Sequence, residues 1–396
     1  MAQNYDLIII GGGIIGNSIA AHLAKANENL KILIINSTHL GTPASIAAAG
    51  LLTPFQLNEF ENPALKDFCF NSFKYFLNFY KEINSTYPNI DLGFKQTGSL
   101  YLIFSSSEIA QKENELKELQ NIPSKVSFLN KPEITKHEPM LTKEAIGAYF
   151  YPEEGLINNP RFLKTLSLYC LERRIEFLNE AVVEINRKKN KIENITLSNK
   201  EIYTANKYIL CNGAWINKFL TKIFNLNENV VKAVKGEILQ VTSCHPVPQK
   251  IIFCKDGYIL PRQATSELER SSLLIGSTSE EINNIEQDKN LFQNTVSGVS
   301  FLTNLFQKLI PNYKDFYINN MWSGLRPKTK DNLPIIGKVP DIENLFLAGG
   351  HYRNGILMGS LTGMIISDLI TKNKCEYNID PFKINRFLEK QSVVSC

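Results

Sequence analysis

The apolar positions near the start of the chain follow a strand pattern, then a helix pattern, then a strand pattern again. "YDLIII" at 5–10 is a continuous apolar run that ends at glycines, which is typical of a strand buried in a parallel sheet. From Ile14 onward the apolar residues recur at helical spacing, and "LKILIIN" at 30–36 is a second apolar run. Strand, helix and strand within about 30 residues predict a βαβ unit, the beginning of a doubly wound sheet.

Farther along, helical and antiparallel-looking stretches alternate. Asn62 and Pro63 suit the cap and the first residue of an aromatic-rich helix over 62–83. Other helices are predicted over 107–120, near 160–174 and over about 288–309, and strands at 96–105, 175–187, 195–199 and repeatedly within 230–280. The pattern predicts an α/β fold in which a Rossmann-type domain is interleaved with an α+β domain built on an antiparallel sheet.

Each of the two domains is expected to use several segments of the chain. We assign residues 1–85, 145–225 and 320–372 to the Rossmann-type domain. We assign residues 86–144 and 226–319 to the second domain, and residues 373–396 to a C-terminal tail.

Composition narrows the class of protein. With 396 residues and 43% hydrophobic and 21% charged content, the chain is ordinary for a soluble globular protein, and a net charge of +4 favours neither nucleic acid nor an anionic membrane surface as a partner. Seven scattered cysteines, without a Cys-x-x-Cys pair, favour reduced thiols over a disulfide framework or a metal site. No signal peptide or uncharged run near the membrane-spanning length of about 20 residues is visible, so we expect a cytoplasmic protein.

Gly11, Gly13 and Gly16 form the pattern Gly-x-Gly-x-x-Gly between the first predicted strand and helix. The glycines permit a tight turn, close approach of a pyrophosphate to the backbone, and close packing of helix on strand. Asn36 stands where an acidic residue usually accepts the ribose hydroxyls of a dinucleotide. It is either a ribose contact without charge or a simple turn residue at the end of the second strand.

Four later segments carry a resemblance to a known family. They are "GTPASIAAAGLLTP" (41–54), "YILCNGAW" (208–215), "WSGLRPKTKDNLPIIG" (322–337) and "AGGHYRNGILMG" (348–359). Together with the glycine turn they resemble the FAD-dependent amine oxidases of the D-amino-acid oxidase family, and within it the glycine oxidase group of thiamine biosynthesis. The resemblance runs from Tyr5 to about Ile370.

The resemblance implies noncovalent FAD, since Cys375 lies well beyond the 348–359 loop where a covalent link would be made. Val182 matches an adenine contact in the family, although by chemistry alone it is equally a valine of the sheet core. The implied cofactor-binding residues are Gly11, Gly13, Ile14, Ile15, Gly16, Asn36, Ser45, Ala47, Ala48, Ala49, Gly50, Leu52, Val182, Gly213, Trp215, His351, Tyr352, Arg353, Asn354, Gly355, Ile356 and Leu357.

The resemblance also implies the catalytic residues Arg326, Tyr258 and Arg353. Arg326 would grip a substrate carboxylate with two parallel N–H donors, and Tyr258 would add a hydroxyl donor. Arg353 lies in a turn with no acidic residue from 344 to 367, which suits a ligand anion as its partner. Judged from residue type alone, the arginines suit surface ion pairs and the tyrosine suits the core. His351 is expected to orient the loop or contact the flavin rather than act as a base.

The activity implied is oxidation of glycine or a similar small amino acid, such as sarcosine or a small D-amino acid, by hydride transfer from Cα to flavin N5. Molecular oxygen would be the second substrate, and the products would be an imine and α-keto acid (glyoxylate for glycine), ammonia and hydrogen peroxide. Ser279 and Thr53 depart from the glycine oxidase pattern near the pocket. The alternatives are an amino-acid dehydrogenase of the same fold, which passes electrons to a quinone or another carrier, and a flavin-binding module without catalysis. Assembly of identical chains rests on analogy alone.

Overall fold

Two large sheets carry the fold. The computed structural model describes residues 3–38, 43–55, 62–118, 125–226, 229–262, 271–288 and 290–388. The strands in chain order are β1 (Gln3–Ile10), β2 (Ile32–Ile35), β3 (Leu51–Leu52), β4 (Ser99–Ile103), β5 (Ser127–Leu129), β6 (Gly147–Tyr151), β7 (Gly155–Leu156), β8 (Glu176–Leu178), β9 (Val182–Lys188), β10 (Lys191–Leu197), β11 (Ile202–Leu210), β12 (Val231–Ser243), β13 (Ile251–Cys254), β14 (Gly257–Arg262), β15 (Ser271–Gly276), β16 (Glu280–Ile282), β17 (Phe316–Thr329), β18 (Ile335–Lys338) and β19 (Leu345–Gly349).

The helices in chain order are α1 (Ile14–Ala26), α2 (Ala44–Ala47), α3 (Pro63–Thr86), α4 (Ser106–Glu118), α5 (Lys131–His137), α6 (Asn159–Glu172), α7 (Asn217–Phe224), α8 (Val296–Leu309), α9 (Gly355–Thr371) and α10 (Asn385–Leu388). Helices cover both faces of the first sheet, and α8 and α4 pack on opposite faces of the second. Short 3₁₀ turns span Gly213–Ile216, Tyr352–Asn354 and Asp380–Phe382.

The first sheet confirms the predicted βαβ unit. Its strands run in the order β18-β19-β11-β1-β2-β8, and β19, β11, β1, β2 and β8 are mutually parallel. The continuous apolar runs of β1 and β2 are buried because α1, α3, α6 and α9 cover one face, while α7 and the β9–β10 hairpin cover the other. The carboxyl ends of these parallel strands therefore meet at one edge, where α/β folds bind ligands.

The second sheet is antiparallel as predicted, except that β13 runs parallel to β4. Its path is β16-β12-β15-β14-β13-β4-β6-β5, and β17 pairs with β12 along the length of both strands. Helix α8 packs on this sheet. The prediction of a helix from about 288 was wrong at its start, because Thr295 caps α8 through the N–H of Gly298 and residues 290–294 form turns.

The pairing of strands bears on the domain division. β6 at Gly147–Tyr151 pairs with β4, and the final half of β17 pairs with β12, so both strands belong to the second sheet by their hydrogen bonds. The segments that begin at 145 and 320 therefore start with a strand of the other sheet. These two strands are better assigned to the second domain. The division of the chain into two interleaved domains remains a prediction.

Two predicted helices compare well with the structure. Asn62 caps α3 by accepting a hydrogen bond from the N–H of Ala64, and Pro63 is its first residue, as the sequence predicted. Helix α4 begins at Ser106, and the part of the predicted helix beyond Glu118 lies outside the described residues.

One helical stretch, Tyr352–Thr371, is long and apolar enough to cross a membrane, with a mean hydropathy of 1.2. However, 67% of it is buried inside the protein, where α9 packs against α1 and α3. That burial is typical of a core helix. The cysteines in the described ranges are free thiols, and Cys69, Cys170, Cys211 and Cys254 are buried.

Candidate functional site

A cavity of about 1140 Å³ lies where the carboxyl ends of the parallel strands face the second sheet. One end is lined by residues that follow β1, β2 and β11, namely Gly11, Asn36 and Asn212. The other end is lined by Tyr258 of β14 and Arg326 of β17. A single cavity thus joins the glycine turn to the residues predicted to bind a carboxylate.

The glycine turn at the first end has the geometry that its sequence predicts. Gly11 has φ +121°, and a Cβ there would lie closer than 3 Å to the carbonyl oxygen of Cys211. A Cβ on Gly16 would overlap the carbonyl of Gly11, so only glycine lets α1 lie this close to β1. The N-terminus of α1 is held by Ser45, whose Oγ accepts from the N–H of Ile14 at 2.9 Å.

Asn36 uses its amide oxygen within the protein. Its Oδ1 accepts a hydrogen bond from the N–H of Gly12 at 3.0 Å, so the residue secures the glycine turn and lines the cavity. Two other polar atoms that line this end, Ser37 Oγ and Asn212 Oδ1, are buried without a hydrogen-bond partner in the protein. Buried polar groups are nearly always paired, so these two atoms indicate a polar ligand. Their signal in the sequence was only position: Ser37 directly follows the predicted strand at 30–36, and Asn212 lies in the segment 208–215 that carries the resemblance.

The run of small residues from Ser45 to Gly50 lines the middle of the cavity. Asn159 donates from Nδ2 to the carbonyl of Ser45 at 2.6 Å, and Trp322 donates from Nε1 to the carbonyl of Ala47 at 2.9 Å. Gly50 has φ +83°, and a Cβ there would overlap the carbonyl of Ile157. These contacts hold the segment against α6 and β17, so it forms a fixed wall of the cavity.

Arg326 and Tyr258 meet at the far end of the cavity. Arg326 donates from Nη2 to Ser277 Oγ at 2.8 Å and from Nη1 to the carbonyl of Thr278 at 3.2 Å. Ser277 also hydrogen-bonds Tyr258, so one hydroxyl contacts both side chains.

Glycines make the room for both of these side chains. A Cβ on Gly236 would lie closer than 3 Å to the guanidinium of Arg326, and a Cβ on Gly276 would do the same to the ring of Tyr258. Sequence reasoning missed these two glycines together with Ser277 and Thr278, because their roles depend on strand neighbours that are far apart in the chain.

Tyr258 is held as a neutral hydrogen-bond donor. Burial raises its pKa, while the positive charges of Arg326 and Arg353 and the Ser277 hydroxyl offset only part of that effect. The phenol therefore keeps its proton at neutral pH. Because Arg353 acts on the pKa of Tyr258, the three predicted catalytic side chains lie within electrostatic reach of one another.

The loop after β19 brings the other predicted residues to the cavity. Tyr352 is buried with φ +47°, and the guanidinium of Arg353 lies over its ring at 5.1 Å from the centroid. Arg353 is exposed in the structure. Helix α9 begins at Gly355, and its first turn lines the cavity, so its unpaired N–H groups place partial positive charge there.

Comparison with known protein families shows which family the chain belongs to. The chain matches the family model described as FAD-dependent oxidoreductase (DAO) over residues 6–369. The chain belongs to this family. The enzyme is thus an FAD-dependent oxidoreductase, and the predicted family and fold are confirmed.

Similar proteins align with this oxidoreductase over nearly its whole length. Glycine oxidase of Geobacillus kaustophilus (strain HTA426) is 29% identical over 99% of this chain and 100% of the relative. The bifunctional protein ThiO/ThiG of Trichormus variabilis (strain ATCC 29413 / PCC 7937) is 29% identical over 98% of this chain, which spans only 56% of that protein. The crystal structure of glycine oxidase from Geobacillus kaustophilus superposes with a TM-score of 0.87 at 28% identity, covering 97% of this chain and 99% of that one.

The cavity of the oxidoreductase fits FAD. The orphaned atoms of Ser37 and Asn212 and the glycine turn suit a polar nucleotide, and the small residues of the middle wall leave space for a flat ring. Most of the predicted cofactor-binding residues line the cavity: Gly11, Gly13, Ile14, Ile15, Asn36, Ser45, Ala47, Ala48, Ala49, Gly50, Val182, Gly213, Trp215, His351, Tyr352, Arg353, Asn354, Gly355 and Ile356.

Three predicted cofactor-binding residues, Gly16, Leu52 and Leu357, do not line the cavity. Gly16 acts behind the turn by letting α1 pack on β1, while Leu52 and Leu357 are fully buried in the core beneath the lining. Thr53 and Ser279 do line the cavity at its far end.

His351 of the oxidoreductase is neutral in the folded protein. It is 4% exposed, its Nε2 is hydrogen-bonded to Thr362 Oγ1 at 3.0 Å, and burial lowers its pKa to about 3. This environment supports the prediction that His351 holds the loop and is not a proton acceptor near neutral pH.

His351 should make the enzyme sensitive to acid. An unfolded histidine has a pKa of about 6.5, so below that pH the unfolded chain binds a proton that folded His351 does not. Stability is therefore lost as pH falls from about 6.5 toward 3, by about 1.4 kcal/mol per pH unit for one histidine. We expect the free energy of unfolding to fall less between pH 7 and 5 in His351→Gln than in the unchanged protein. Urea unfolding at both pH values measures this.

The control for that experiment is His137→Gln, at an exposed histidine. It should lose as much stability between pH 7 and 5 as the unchanged protein does. The buried His22, whose pKa is also lowered by burial, contributes in the same direction in all three proteins. An equal loss in His351→Gln and the unchanged protein would contradict a neutral His351.

Gly236 offers a test of the arginine site. In Gly236→Ala the new Cβ would occupy the space of the Arg326 guanidinium, which must move out of its bonds to Ser277 and Thr278. We expect the Michaelis constant to rise by about tenfold or more, the equivalent of one charge-assisted hydrogen bond, with the amount of bound FAD unchanged. Steady-state kinetics measures it, and an unchanged constant would show that the guanidinium is not needed in this position.

Proposed function

We propose that this enzyme oxidises a small amino acid to its imine, which hydrolyses to an α-keto acid and ammonia, and that molecular oxygen takes the electrons and leaves as hydrogen peroxide. The observation that carries the proposal is the Arg326–Tyr258 pair at one end of the cavity whose other end is the glycine turn. When bound, FAD supplies the two-electron acceptor for this oxidation.

The chain's residues would hold FAD noncovalently along the cavity. Gly11 and Gly13, with the N-terminus of α1, suit the pyrophosphate, and Asn36, Ser37 and Val182 suit the adenosine end. The walls at 45–50 and 351–356 suit the flavin ring. The N-terminus of α9 lines the cavity beside the 351–356 wall, and its partial positive charge favours negative charge on a ligand at that place.

Arg326 and Tyr258 would fix the substrate carboxylate. The guanidinium presents parallel donors, and the neutral phenol presents a third, so the carboxylate is held in one orientation. Arg353, exposed on the loop, would contact the far side of the substrate. Holding the carboxylate fixes where Cα lies, and positioning of this kind supplies much of an enzyme's acceleration.

No side-chain base is required by this arrangement. His351 is neutral, buried and hydrogen-bonded to Thr362, so it orients the loop and does not take the amine proton. The substrate amine would enter deprotonated, its proton having gone to solvent. The protein's task is then to bind, orient and exclude water.

The relatives and the cavity support a small amino acid as the substrate in this proposal. Several of the similar proteins are glycine oxidases, and others carry the name ThiO/ThiG, which supports glycine as substrate and a role in thiamine thiazole synthesis. Thr53 and Ser279 at the substrate end are small and polar, which leaves room for sarcosine or a small D-amino acid. A cytoplasmic location and assembly into oligomers stay predictions.

Anaerobic mixing with amines tests the proposal. The yellow protein would be mixed in turn with glycine, sarcosine and D-alanine without oxygen, and its visible absorbance recorded before and after admission of air. Bleaching by one of them, with colour and peroxide returning in air, is the expected result. Slow recovery in air would favour a dehydrogenase with another electron acceptor, and no bleaching by any amine would overturn the amine reaction.

A further inference from the structure

The support of Arg326 depends on an irregularity in the second sheet. Ile238 of β12 pairs with Gly276 of β15, and Lys235 of β12 pairs with Glu280 of β16. Three residues, 277–279, therefore lie opposite two, 236–237, which is a β-bulge with one extra residue. Bulges redirect backbone groups out of the hydrogen-bond ladder, and this one lies beside the cavity.

Thr278, in the middle of the bulge, makes three hydrogen bonds. Its backbone N–H donates to the carbonyl of Glu237 at 3.3 Å. Its carbonyl accepts from Arg326 Nη1 at 3.2 Å. Its side-chain Oγ1 accepts from the backbone N–H of Glu237 at 2.8 Å. In a regular ladder a backbone carbonyl would take that N–H. The hydroxyl thus replaces a carbonyl in the ladder, and the carbonyl of Thr278 is left to bind the guanidinium.

The side chains of Glu237 and Lys235, on the other face of β12, fix this arrangement in place. The carboxylate of Glu237 is buried and accepts from the N–H of Thr295, the cap of α8, at 2.8 Å. Lys235 Nζ lies 3.7 Å from the same carboxylate and donates to the carbonyl of Gln293. The strand segment that carries the N–H of Glu237 is therefore anchored, so Thr278 is bound to a fixed donor.

We propose that Thr278 is a positioning residue for substrate binding: its hydroxyl satisfies the N–H of Glu237 in the bulge and so leaves its own carbonyl to orient Arg326. This inference rests on the proposed role of Arg326 as the carboxylate site. Without the hydroxyl the buried N–H of Glu237 has no acceptor, and the bulge relaxes to offer it a carbonyl. The guanidinium then loses one of the bonds that fix its direction.

The test compares Thr278→Val, which has nearly the same shape but no hydroxyl, with Thr278→Ser, which keeps it. In Thr278→Val we expect the Michaelis constant for the amine to rise about tenfold with kcat nearly unchanged. The dissociation constant of acetate, a carboxylate probe followed by the flavin spectrum, should rise by a similar factor. Thr278→Ser should restore both values. Thr242→Val, on β12 (the strand that carries Glu237) but outside the cavity lining, is the matched control and should match the unchanged protein.

A double-mutant cycle shows whether Thr278 acts through Arg326. In an Arg326→Ala background the Thr278→Val change should alter kcat/KM by less than about twofold, because no guanidinium remains to be oriented. A tenfold effect that persists in that background would overturn the inference, as would Thr278→Val with the acetate affinity of the unchanged protein. If Arg326→Ala itself binds acetate normally, the proposed carboxylate site fails instead, so the two failures are distinguishable.

Discussion

Replacing Arg326 by alanine is expected to raise the Michaelis constant for the amino acid by about 100-fold, the equivalent of roughly 3 kcal/mol for a lost charge-assisted pair. The guanidinium is half-buried at the substrate end of the cavity and is hydrogen-bonded to Ser277 and Thr278, which fixes the direction of its donors. FAD should still be retained, because Arg326 lies at the end of the cavity opposite the glycine turn, and the ratio of flavin to protein absorbance checks this. Steady-state oxygen consumption at increasing amine concentration measures the effect.

The control for Arg326→Ala is Arg187→Ala, which removes an exposed arginine of β9 outside the cavity lining and should leave the constant unchanged. Arg326→Lys should fall between the two, since an ammonium keeps the charge but not the parallel donors. A Michaelis constant near that of the unchanged protein in Arg326→Ala would refute the carboxylate assignment.

Replacing Gly16 by alanine is expected to yield a protein that no longer retains FAD. The new Cβ would overlap the carbonyl of Gly11, so α1 must move away from β1 and the turn that meets the pyrophosphate is lost. We expect affinity for FAD to fall by at least about 100-fold, as for the loss of several backbone contacts to an anion. The ratio of flavin to protein absorbance after purification, and titration of the apoprotein with FAD, measure it.

Two further variants separate loss of FAD from loss of fold. Gly13→Ala places a Cβ 3.0 Å from Ser45 Oγ, a milder conflict at the cavity surface, and should weaken FAD while leaving the circular dichroism unchanged. Ala24→Gly weakens α1 by about 1 kcal/mol away from the turn and should bind FAD normally. Equal loss of FAD in Ala24→Gly would mean that general instability of α1, and not the turn, is responsible.

Much of the fold could be predicted because its signals are local. The apolar runs of β1 and β2, the glycines between β1 and α1, and the Asn62–Pro63 start of α3 each depend on residues close together in the chain. The start of α8 was missed because Thr295, and not the apolar pattern, sets it. The membership of β6 and β17 in the second sheet was missed because strand pairing between distant segments leaves no periodic signal.

The family, the glycine turn and the charged and hydroxyl-bearing residues proposed for the site are all predictable from the order of amino acids, because a motif specifies residue types at fixed spacing. How those residues are held depends on the fold. Gly236 and Gly276 make room for Arg326 and Tyr258 across strands, and the bulge at 277–279 turns a carbonyl toward the guanidinium. The physical reason is that space, burial and hydrogen-bond partners are properties of neighbours in the fold, and these neighbours lie tens of residues apart in the chain.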